Sequence, residues 1–171
     1  MADKPDIAMA AAKGLEGLPP WAAVAVAVRA VWRALPESYG LPPEAMHDVA
    51  AEVVAAAYLG LGEGKRDIPV IYVATSAASD SSISANAAHA AASAAKAATA
   101  EDVTTTELAT AAVYSAIQAA ASADAEIAAV DAVTSDINWV NTKSSIDDGV
   151  DPDFFRRRLW SRTGKRSAPE A

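Results

Sequence analysis

Cysteine is absent from this 171-residue chain, which excludes a disulfide framework and thiol catalysis and fits a reducing, cytoplasmic setting. Only two histidines are present, His47 and His89, so histidine-based acid-base or metal chemistry has little to draw on. No apolar run is long enough to span a membrane: the most apolar stretch, Trp21 to Leu35, is interrupted by Arg29 and Arg33. The opening MADKPDIAMAAAKG lacks a basic start followed by an apolar core and predicts no secretory leader. Net basic charge is missing too. At −8 overall, the chain carries the wrong sign for general binding to nucleic-acid phosphates.

What the chain has in abundance is alanine, above all between Ala85 and Ala132. Alanine loses no rotamer freedom on entering a helix, so this tract predicts helix wherever it is not interrupted. Each buried methyl contributes only about 0.8 kcal/mol, so such helices persist only against close neighbours. Asp80, Ser81 and Ser82 are N-cap types before the first segment, and Thr104 to Thr106 with Glu107 play that part before the second. A short loop is expected at Glu101 and Asp102. Rows such as Ala112, Val113 and Ile117, continued by Ile127, Val130, Val133, Ile137 and Val140, have core spacing. One helix over about 106–140 and two helices meeting near Ser122 to Asp124 satisfy that pattern equally.

The remaining chain divides by composition. Residues 1–18, with Gly14 and Gly17, are expected as a flexible arm with at most a helical turn around Ile7 to Lys13. Pro19 and Pro20 start a helix whose Trp21, Val24, Val28, Val31, Trp32 and Leu35 share one side, with Arg29 and Arg33 on the other. A second helix runs from Pro42 and Pro43 to about Leu59. Residues 68–76 include a β-branched run, Ile68 to Val73, with no second strand to pair with, so helix is preferred there. Asp151 should cap a last helix opening at Pro152. The expected fold is all-α, a compact bundle of about five to seven helices forming one domain over 19–162, with a disordered basic tail at 163–171.

Charge is unevenly placed. From Phe154 onward six basic residues face one acid, a net +5, leaving −13 for the rest. That basic end either docks on its own acidic body or serves as a partner-binding tail.

Motifs for chemistry fail in detail. Gly60 to Lys65 has glycines and a lysine, but Leu59 and Arg66 stand where a phosphate loop needs glycine and a hydroxyl residue. Glu44, His47 and Asp48 share a helix face, yet the paired Glu-x-x-His of a di-iron bundle is missing, since Asn86 stands three residues before His89. The order of Asp147, Asp148, Asp151 and Asp153 departs from an EF-hand loop, and acids before a helix already suit its dipole. His89 and Ser93, four apart, lack an acidic partner and an oxyanion arrangement. The residues themselves thus point to no catalytic group, cofactor or metal.

Several features taken in order carry a resemblance: a first helix with tryptophan and arginine, a proline-started second helix, the Ala87-Ala88-His89-Ala90-Ala91 tract, Asp136-Ile137-Asn138-Trp139, and a Pro152-Asp153-Phe154-Phe155 to Leu159-Trp160 ending. In these the chain resembles the alanine-rich, all-α proteins of bacterial conflict systems, including predicted immunity proteins of polymorphic toxin systems, over about residues 20–160. The resemblance implies a non-catalytic protein that binds another protein. An acidic surface would suit a basic partner, with Asp147, Asp148, Asp151 and Asp153 as the contact region. The alternative is a structural module that self-assembles through Trp, Phe and Leu of the last helix; a hydrolase or metal-dependent enzyme ranks below both.

Overall fold

The computed structural model describes residues 6–40, 83–100, 104–120, 122–143, 152–157 and 159. Six α-helices account for most of these: α1 (Ile7–Lys13), α2 (Pro20–Ala34), α3 (Ile83–Thr99), α4 (Thr104–Gln118), α5 (Ala123–Lys143) and α6 (Pro152–Arg156). Two 3-10 turns, Gly14–Gly17 and Leu35–Gly40, extend α1 and α2. Among the described residues no strand occurs, and the helices pack as an all-α bundle. The helix expected from Pro42, the segment 68–76, the Gly60 to Lys65 motif and the tail at 163–171 lie outside the described residues.

The centre of the bundle is α2. Pro20 occupies its first turn, where a missing N–H costs nothing. Every residue from Ala22 to Val31 is buried, so the helix is covered on all sides rather than along one stripe. Its Ala and Val side chains meet α3 and α4. Helix α3 contributes a wall of methyls (Ala87, Ala90, Ala91, Ala94 and Ala95 among them) and packs most extensively against α4. Side chains this short let helices approach closely, and α4 supplies the bulk with Val113 and Ile117.

Helix ends follow local chemistry. The C-terminal carbonyl of Gln118 accepts a hydrogen bond from Asn86 Nδ2 at 3.2 Å, and Ser122 Oγ accepts from the Ala125 N–H at 3.2 Å. A helix end and an N-cap therefore fall within four residues, and the long alanine-rich stretch divides into α4 and α5. Thr105 Oγ1, donating to Ala100 O at 3.3 Å, ties the α3–α4 connection.

Residues 6–18 correct the expectation of a flexible arm. Asp6 caps α1 by accepting from the Met9 N–H at 3.0 Å, and Ala8, Ala12, Leu15 and Leu18 are buried in the common core. Gly14 has right-handed backbone angles; its role is space. A Cβ at that position would stand 2.9 Å from Ile137 Cδ1, so the missing side chain lets the end of α1 settle against α5. The glycine suggested looseness, but in the fold it permits close packing.

Candidate functional site

Arg29 and Arg33 lie one turn apart on α2, on the side expected to lie opposite the row of Trp21, Val24, Val28, Val31, Trp32 and Leu35. They are buried instead, with side-chain exposures of 1% and 4%. The correction has a local reason: between Pro20 and Ala34 they are the only polar side chains, and a helix enclosed on all sides offers them no wet face. Their counter-charge comes from far along the chain. Asp136, on α5 and 2% exposed, accepts from Arg29 Nε at 3.0 Å and from Arg33 Nη2 at 2.6 Å through the same oxygen, Oδ2.

Both arginines also bind the C-terminal segment. Arg29 Nη1 donates to the carbonyls of Phe154 at 2.7 Å and Arg157 at 3.2 Å, and Arg33 Nε donates to Leu159 O. These carbonyls lie in the last turn of α6 or beyond its end, where intrahelical donors run out, so the guanidinium groups act as its C-terminal cap. Phe154 closes the arrangement as a fully buried plug. Its ring stacks on Trp139 at 5.1 Å and lies under the Arg29 guanidinium at 4.9 Å. Phe155 meets Trp32 edge-on at 5.5 Å. The basic end thus docks on its own body over the described residues 152–157, through one buried carboxylate and two aromatic contacts. With Phe154 buried and Phe155 and Leu159 half-buried, these three side chains supply no exposed patch for self-assembly.

A third cation borders the same acid. The Arg157 side chain, 34% exposed, places Nη1 3.9 Å from Asp136 Oδ1 and lays its guanidinium over Trp139 at 5.3 Å. Three arginines therefore surround one carboxylate. Burial is the largest influence on Arg33 and lowers its pKa, opposed by the attraction and hydrogen bond of Asp136, with Arg29 and Arg157 adding repulsion. A guanidinium pKa starts high enough for the group to stay charged.

Of the acids expected to contact a partner, Asp147, Asp148 and Asp151 lie outside the described residues. Asp153 is exposed in the first turn of α6 and pairs with exposed Arg156 at 3.3 Å, a surface contact of small energetic weight. Glu44, His47 and Asp48 also lie outside. His89 and Ser93 are half-buried on α3. Among the described residues no group of three or more metal-ligating side chains forms, and no helix is long and apolar enough to cross a membrane.

A second surface feature appears on the first half of α5. Ile127, expected in a core row, is 51% exposed. Asp124 and Asp131 are exposed on the same helix and Glu126 is half-buried. The later turns of α5 are more enclosed, with Ala132, Val133, Asp136, Ile137 and Val140 buried. Asp136 could have been found from the sequence: it stands at i+7 from Ala129 and i+3 from Val133, inside the apolar stripe. No family model, curated protein or solved structure matches the chain.

Proposed function

We propose that the protein works by binding another protein, as a non-catalytic module of the immunity or regulatory kind, and that its partner is basic. The observation that supports this reading is the first half of α5, where a half-exposed isoleucine is flanked by Asp124, Glu126 and Asp131 on a chain of net charge −8. An apolar anchor with charged surroundings is the usual anatomy of an interface centre and rim. Like-signed acids around it attract a basic surface and speed encounter. The buried arginine cluster has a supporting role in this reading: by clasping α6 to α2 and α5 it holds the bundle that presents α5.

The test compares the wild-type chain with Ile127→Lys in quantitative affinity capture from the source cell, followed by binding measurements on the purified partner. A reproducible basic partner, bound in a salt-sensitive manner and lost with Ile127→Lys, supports the proposal. Absence of any reproducible partner, or equal capture by both chains, refutes it.

A further inference from the structure

The exposed side of α5 forms one strip. Asp124, Ile127, Asp131, Ser135 and Asn138 recur every three, four or three to four residues along the helix, which places them on one face, and all five are exposed. Ile127 is the large apolar side chain of that face, 51% exposed. Among the described residues no cation pairs with Asp124 or Asp131. The negative charge continues round to α1 and α4. Tyr114 donates to Asp6 Oδ2, and its pKa is raised first by burial, then by the charge and hydrogen bond of Asp6, and last by the charge of Glu126.

One end of the strip lies where the described C-terminal segment leaves the bundle. Asn138 adjoins Trp139 in sequence, and the Arg157 guanidinium lies over the Trp139 ring at 5.3 Å. Beyond Leu159, residues 160–171 carry Arg162, Lys165 and Arg166 against a single acid, Glu170. Along the helix, Trp139 and Asp124 are about 22 Å apart at 1.5 Å per residue, whereas residues 160–171 reach about 40 Å when extended. The segment is therefore long enough to cover the strip from its point of exit. A tethered segment also meets its target at a local concentration of the order of millimolar, so attraction to two carboxylates and the cover of one isoleucine suffice to seat it.

We infer that residues 160–171 fold back over the first half of α5, setting Arg162, Lys165 and Arg166 against Asp124 and Asp131 and shielding Ile127 from water. The same face of a second copy is a poor occupant, because it brings like charges together. This strap takes the face assigned above to a basic partner. Its regulatory consequence, that a partner must displace the tail before binding, rests on that reading, whereas the docking of the tail does not.

The absence of cysteine makes Ser167→Cys a unique attachment point for a nitroxide label on the full chain. The amide signals of residues 124–131 are expected to lose intensity relative to the same sample with the label reduced. They should recover as salt is raised to about 1 M, where the Debye length falls to about 3 Å. The loss should also disappear when Asp124→Lys and Asp131→Lys are combined. Neutralising the tail with Arg162→Gln, Lys165→Gln and Arg166→Gln should abolish it too, with α5 itself unaltered. No selective loss over residues 124–131, or a loss that survives these substitutions, overturns the inference. Loss seen only when labelled chain is mixed with unlabelled, isotope-enriched chain also overturns it, since the tail then seats on a second copy. A strap signal without any captured partner supports the docking and counts against the protein-binding role; a captured partner without a strap signal does the reverse.

Discussion

Replacing Asp136 by asparagine removes the carboxylate that Arg29 and Arg33 share among the described residues, while keeping shape and volume almost unchanged. All three side chains are nearly inaccessible to water, so solvent cannot take over the lost charge. Breaking a buried ion pair by removing one partner costs about 3–5 kcal/mol, and here two cations lose the same counter-charge. Against a typical total stability of about 5–15 kcal/mol, Asp136→Asn should remove roughly a fifth or more of it. For a chain of this size each kcal/mol corresponds to roughly 2–4 °C in Tm, giving an expected fall of roughly 6–20 °C. Urea and thermal unfolding followed by far-ultraviolet circular dichroism measure both quantities. Arg33→Met should then cost at least about 1 kcal/mol less in the Asp136→Asn background than in the wild type, because contacting residues are energetically coupled. A loss below about 1 kcal/mol for Asp136→Asn, the range of exposed pairs, would refute the buried clasp.

Other consequences are local. Phe154→Ala empties a fully buried site and should cost about 3–5 kcal/mol, with faster limited proteolysis at Arg156 and Arg157 as α6 loosens. Gly14→Ala places a methyl against Ile137 Cδ1; in an Ile137→Val background, where that atom is gone, the same change should stabilise by about 0.4–1 kcal/mol through the unfolded chain, as chemical denaturation can measure. In the wild-type background the contact should offset most of that gain. Tyr114 donates to Asp6 Oδ2 at 3.3 Å, and burial, then the nearby Asp6 charge, raise its pKa. A raised tyrosine pKa means its contribution is intact below the ordinary value and is lost as pH climbs through the folded one. Unfolding free energies measured across the alkaline range should therefore fall less steeply in Tyr114→Phe than in the wild type.

Local rules written into the chain determined much of the architecture. Alanine's lack of rotamer cost made α3 to α5 helical, Pro20 set the start of α2, and Pro152 opened α6. The break between α4 and α5 was legible as one of two options, and the Ser122 cap with the Asn86 contact decided it. Tertiary packing decided the rest. Residues 6–18 became part of the core because Ile137, more than a hundred residues later, fills the space that Gly14 leaves. Arg29 and Arg33 turned inward because Asp136 lies 107 and 103 positions away in sequence and yet beside them in space. Helical spacing alone assigns two arginines four apart to water. Only the enclosure of α2 on every side, and a carboxylate brought to it by another helix, makes their burial stable.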